Sequence, residues 1–173
     1  MSDNNPPRHP IVFGETVIVG AKHTSSVTRI AGQISVLFDR LGAAAWRDQP
    51  SASHAVEIVI PITEAAENAA VIIDMRGHGG TYSDGAALVV AHDGNLDQTV
   101  RFDEPRDFHT CWACPVFAGQ RLRLSLLVAA RQGDQANSDA LVQVDSIDIT
   151  AAQAPSGSMS KPLPTAERMK KLR

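Results

Sequence analysis

Aromatic residues are scarce in this chain. They make up 5% of its 173 positions, with Trp46 and Trp112 as the two tryptophans and Tyr82 as the one tyrosine. That leaves little material for a platform that stacks on sugar rings or bases. Cysteine is equally thin, because Cys111 and Cys114 cannot supply the four ligands of a structural zinc site. No apolar run approaches the length of a bilayer span. Residues 1–10 are polar and proline-rich, without the apolar core of a signal peptide, so synthesis in the cytoplasm without Sec export is expected. Catalytic signatures are also missing. There is no G-x-S-x-G, no H-x-H among the six histidines and no pair of acids that stands out for glycoside chemistry. The chain reads as non-enzymatic, with no cofactor.

What is present is alternation. Leu122, Leu124, Leu126, Val128 and Ala130 share one parity, while Arg121, Arg123, Ser125 and Arg131 take the other. A β-strand sends successive side chains to opposite faces, so this stretch buries one face and wets the other. Val56, Ile58, Ile60 and Ile62 repeat the pattern around Glu57. Residues 11–19 form a first strand with Ile11, Phe13, Val17 and Val19 facing one way. In residues 27–38, Ile30, Ile34, Val36 and Phe38 share a face around Gly32. Residues 69–75 read as a strand buried on both faces. Asp93-Gly94-Asn95 between 86–92 and 96–102 is a hairpin signal, with Leu96, Val100 and Phe102 inward. The parity of 141–150 slips between Val144 and Ile147, which points to a β-bulge near Asp145.

Three stretches break the pattern. Residues 39–50 suit a helical turn or packed loop, 63–68 a single helical turn, and 76–85 a glycine-rich connection. Residues 103–119 read as irregular. The expectation is an all-β fold: one antiparallel β-sandwich of jelly-roll type, with about eight strands over residues 11–150. Residues 1–10 would be an extended arm. Residues 151–173 would be a linker and basic tail, with two helical turns over 165–172.

Four constellations carry potential chemistry. Asp93, Asn95, Asp97 and Glu104 imitate the oxygen ligands of a calcium loop, but Gln98 stands where an EF-hand needs glycine. Cys111-Trp112-Ala113-Cys114 spells C-x-x-C without the strand-to-helix setting that makes such thiols reactive, and His109 is its nearest further ligand. His78, His92 and His109 could converge on a metal. Trp112 and Tyr82, with the glycine-rich stretch, could form a minimal ligand-binding pair.

Charge is unevenly placed. Lys161, Arg168, Lys170, Lys171 and Arg173 oppose Glu167 alone, so residues 151–173 carry +4 and residues 1–150 carry −7 of a formal total of −3. An acidic body discourages nucleic-acid binding except through the tail. Extended arms and a basic tail suit a repeated subunit that straps onto neighbouring copies or other structural proteins, away from membranes. Phage and virion decoration, capsid and tail components look like this in general architecture. On that reading Pro6, Pro7, Lys161, Arg168, Lys170 and Lys171 make the assembly contacts. The alternative is a carbohydrate-binding β-sandwich module.

Overall fold

The computed structural model describes residues 11–20, 25–135 and 137–152. Eleven strands run through them: β1 (Ile11–Phe13), β2 (Val17–Val19), β3 (Ser25–Ile30), β4 (Gln33–Ala45), β5 (Ser51–Ala65), β6 (Ala70–Thr81), β7 (Ala86–His92), β8 (Asp97–Phe102), β9 (Arg106–Pro115), β10 (Arg121–Arg131) and β11 (Ala140–Ala152).

The pairing is that of a long hairpin rolled up. Strands β4, β5, β6 and β7 pair antiparallel with β11, β10, β9 and β8 respectively, and the tip lies between β7 and β8. Rolling places β11 between β4 and β6, and β10 between β5 and β7. The result is two facing antiparallel sheets, β3-β4-β11-β6-β9 and β1-β5-β10-β7-β8, with β2 also on β5. This is the expected jelly-roll sandwich. Its eight wound strands carry three shorter ones, β1, β2 and β3, along one flank.

The inward faces supply the core. Leu122, Leu124, Leu126 and Val128 of β10 are at most 1% exposed, and Ile58 and Ile60 of β5 face them in register across the strand pair. Ile34, Val36, Ile73, Met75, Ile147 and Ile149 close the core from the other sheet. Each such side chain contributes about 2 kcal/mol when withdrawn from water.

Several segments differ from expectation, each for a local reason. Residues 76–81 belong to β6 and are no connection, because Gly77 and Gly79 vacate the space that two phenylalanine rings fill. A Cβ on Gly79 would lie 2.9 Å from the Phe102 ring, and one on Gly77 would lie 2.7 Å from Phe108. The two rings meet edge to face at 5.6 Å. Residues 39–45 continue β4 as strand. Leu41, Ala43 and Ala45 are buried on a parity reset by a bulge, where Val144 faces Leu41 but Ser146 faces Leu37. The same irregularity confirms the bulge at Asp145.

Residues 106–115 form the edge strand β9, with Phe108, Trp112 and Cys114 inward. Residues 27–38 fold back at Gly32, whose φ of 75° supports the turn, leaving Ile30 68% exposed. Residues 11–19 split into β1 and β2, so that Ile18 packs on the core while Val17 and Val19 turn outward. Thr63 to Ala65 extend β5, and Asn68, with φ of 60°, completes a turn in place of the helical one. In β6 only Val71, Ile73 and Met75 of the apolar run are fully buried. Leu96 is exposed at the hairpin tip. Residues 1–10 and 153–173, with the arm and the helical turns expected there, lie outside the described residues.

At the hairpin tip, Asp93 is 5% exposed. Its carboxylate accepts the backbone N–H groups of Asn95 and Leu96, both at 2.9 Å, and the Trp112 Nε1–H at 3.0 Å. The hairpin belongs to one sheet and Trp112 to the other, so this one group ties the sandwich across its end. Burial pushes the Asp93 carboxyl up, but the Asn95, Leu96 and Trp112 donors together outweigh it and hold the pKa below the usual value. A depressed folded-state pKa means stability present above the unfolded value and lost as pH falls through the folded one. Asp93→Ala, which strands three donors, is expected to cost about 3 kcal/mol in urea denaturation. Asp93→Asn is expected to flatten the loss of stability below about pH 4.

Candidate functional site

The sequence-derived constellations disperse in the fold. Asp93 is committed to its three donors, Asp97 Oδ1 meets His92 Nδ1 at 2.7 Å, and Asn95 is exposed. Glu104 follows the far end of β8, about 20 Å from the turn at roughly 3.3 Å per residue. His78, His92 and His109 each face a different carboxylate, Asp145 at 3.4 Å, Asp97 at 2.7 Å and Asp74 at 2.7 Å. Among the described residues no three His, Cys, Asp or Glu side chains are placed to share a metal ion.

Cys111 and Cys114 stand three residues apart on one strand, so they point to opposite faces. Cys111 is exposed and Cys114 is buried. Burial, with the charge of Asp93 beside it, pushes the Cys114 thiol up to about 12. Trp112 also points inward and is 7% exposed, so it offers no free face to a ligand. It pairs with Ile73, nine residues before Tyr82, which places the two aromatics about 30 Å apart along β6. The structure does not bring them together.

A different partner stands beside Tyr82. Ala45, Ala140 and Thr81 share one row across β4, β11 and β6. One residue beyond this row, the Tyr82 N–H donates to the Asp139 carbonyl at 2.9 Å, and Trp46 follows Ala45 at the end of β4. Ala45 and Thr81 face the core, so Trp46 and Tyr82 take the solvent face of the same sheet. They are 43% and 61% exposed. Two strand spacings separate them, about 10 Å.

The floor beside this row is low. Ala44, Leu141 and Gly80 form the adjacent row, then Gly42, Gln143 and His78. Leu141 is exposed between the two aromatics' strands. Pro105, in the loop between β8 and β9, closes on Gly80, where a Cβ would sit 2.5 Å from its Cα. That loop forms one wall. Polar groups line the continuation of the floor: Gln143 Nε2 donates to Asp145 Oδ1 at 2.9 Å, and His78 approaches the other carboxylate oxygen.

Both aromatics rest on clamped backbone. Trp46 and Gln49 exchange two backbone hydrogen bonds of 2.9 Å. The Tyr82 carbonyl accepts the Gly85 N–H at 3.2 Å. Next to it, the Asp84 carboxylate receives the Asp134 and Gln135 N–H groups, and the Asp134 donor is the main reason its pKa lies below the ordinary range. The sequence pairs Trp112 with Tyr82 because both read as residues of neighbouring loops, and it puts Trp46 in a helical turn or packed loop. Only the pairing of β4 and β6 with β11 reveals which tryptophan lies two strands from the tyrosine.

The solvent face of the other sheet holds an open groove of about 600 Å³ lined by Val19, Ala55, Glu57, Val90, His92 and Leu127 among others. Its floor is aliphatic. Its charged rim is engaged, Glu57 with Arg123 at 3.0 Å and His92 with Asp97.

No protein-family model matches the chain, and no curated protein matches it. Similar solved structures include the module TmCBM61 in complex with beta-1,4-galactotriose, with 11% identity, a TM-score of 0.30, and coverage of 79% of this chain and 88% of that one. The family 11 carbohydrate-binding module of the cellulosomal cellulase Lic26A-Cel5E of Clostridium thermocellum shows 9% identity and a TM-score of 0.23, covering 82% and 86%. The CBM22-1 xylan-binding domain of Paenibacillus barcinonensis Xyn10C shows 14% identity and a TM-score of 0.21, covering 80% and 86%.

The two thiols provide a direct check on the register of β9. Iodoacetamide is expected to add one label to the native protein, at Cys111, and two after denaturation in urea. Rapid native labelling of Cys114 would contradict the inward face assigned to it.

Proposed function

We propose that this chain is a glycan-binding β-sandwich module that works by contact, with its platform on the solvent face of the five-stranded sheet. The observation that carries this reading is the exposed pair Trp46 and Tyr82, each one residue beyond the Ala45–Ala140–Thr81 row and about 10 Å apart, beside a floor of Ala44, Gly42 and the exposed Leu141. An aromatic face accepts the C–H face of a sugar ring, and a flat floor admits a chain of rings without steric cost. Gln143, His78 and Asp145 supply amide, imidazole and carboxylate groups of the kind that bond to hydroxyls. Preset backbone on both aromatics spares the entropy of ordering them on binding.

A second reading is self-assembly through the termini, supported by the charge split between residues 1–150 and 151–173. The residues it names, Pro6, Pro7, Lys161, Arg168, Lys170 and Lys171, lie outside the described residues.

Two measurements separate the readings. On a glycan array followed by calorimetry, Trp46→Ala and Tyr82→Ala are each expected to weaken binding about tenfold, with unchanged melting behaviour. Full affinity in both variants would sink the platform. For assembly, light scattering at low and high salt is expected to show a salt-sensitive oligomer for residues 1–173 and a monomer for residues 1–153. Two monomers of unchanged behaviour would remove it.

A further inference from the structure

The platform is ringed by unneutralised negative charge. Asp139 is exposed, precedes Ala140 of β11 and accepts the Tyr82 N–H at its backbone carbonyl. Asp107 pairs with His78 across β9 and β6 on the same face. Asp103 and Glu104 stand in the loop whose Pro105 closes on Gly80. Among the described residues, the side chains of Asp103, Glu104, Asp107 and Asp139 make no hydrogen bond or ion pair. Asp145 is shared with Gln143 and His78.

Fixed cations close by are few. Arg106 turns away, donating to the Arg101 carbonyl at 2.8 Å and lying over the Phe102 ring. Arg47, in the turn after Trp46, is followed by Asp48, which cancels its charge at a distance. Such a field repels uronates and sulfated sugars and concentrates cations. The aromatic faces add to this, because their quadrupoles attract an ammonium group. A carboxylate accepts a hydrogen bond from the hydroxyl of any sugar, but only a protonated amine adds charge attraction to that bond.

We infer that the ligand of this platform is a glycan bearing protonated amines, an oligomer of the glucosamine type. The inference rests on the platform reading and adds its charge preference. Rings stack on Trp46 and Tyr82, with amines toward Asp139 and the β8–β9 loop, while Asp107, opposite His78 and about 13 Å along β6 from Tyr82, meets an amine on a ring further along the face. No covalent step is involved.

The test is calorimetry on the full chain at about pH 6, where the amines are protonated. Three probes are used: a glucosamine oligomer, its fully N-acetylated counterpart and a galacturonate oligomer. The glucosamine oligomer is expected to bind about tenfold tighter than the acetylated one, and that advantage should shrink as salt rises from about 50 mM to about 500 mM. The double variant Glu104→Gln, Asp107→Asn is expected to lose most of the advantage while keeping its affinity for the acetylated chain. Tyr82→Ala is expected to weaken both. Equal affinity for the amine and acetylated oligomers, or preference for galacturonate, would overturn the charge inference and leave the platform standing. Binding of none of the three, beside a Tyr82-dependent signal from another glycan on an array, would overturn the charge inference alone, and binding of no glycan at all would overturn both.

Discussion

The register of β11 between β4 and β6 is the constraint on which the candidate site depends. Ala140 faces Ala45 on one side and Thr81 on the other, and that double pairing sets Trp46 and Tyr82 each one residue beyond the row. A slip of one residue in either pairing would send one aromatic into the core, since strand side chains alternate with period two. The bulge at Asp145 is part of the same constraint. It lets the inward face of β11 change parity, from Val142 and Val144 to Ile147 and Ile149, without loss of burial. It also tips Asp145 toward His78 and Gln143, on the face where the aromatics stand.

The scarcity of large side chains along β6 serves the packing and the platform in different ways. Gly77 and Gly79 face inward and make room for the rings of Phe108 and Phe102. Gly80 faces outward and lets Pro105 approach, which brings the acidic β8–β9 loop against the outer face of the sheet. A glycine-rich stretch is therefore a strand here, since its missing side chains are replaced by rings from β8 and β9. Its extended backbone is held on both edges by β11 and β9.

The residues with the clearest chemical look in the sequence serve structure. Asp93 resembles the first ligand of a calcium loop, yet its oxygens are taken by two backbone donors and the Trp112 indole. That bond satisfies the indole N–H of the buried Trp112, while burial first and the Asp93 charge second make Cys114 hold its proton firmly. The C-x-x-C spacing loses its meaning once the segment is extended, because residues three apart on a strand diverge. Spacing motifs derived from turns and helices transfer poorly to a fold whose described residues are mostly strand.

The sequence by itself determined the all-β class, the sandwich, the hairpin at Asp93-Gly94, the long strand of β10 and the bulge at Asp145. These follow from alternation and turn chemistry, which are local properties of short windows. It also limited the aromatic inventory to a few positions, and so the pool from which any stacking pair must come. Tertiary structure alone decided which of them meet. Trp46 and Tyr82 are 36 positions apart in the chain, and they stand two strands apart because β11, from the far end of the chain, pairs between β4 and β6. No local pattern encodes that insertion, for it depends on how the whole hairpin rolls and which edges remain to be paired.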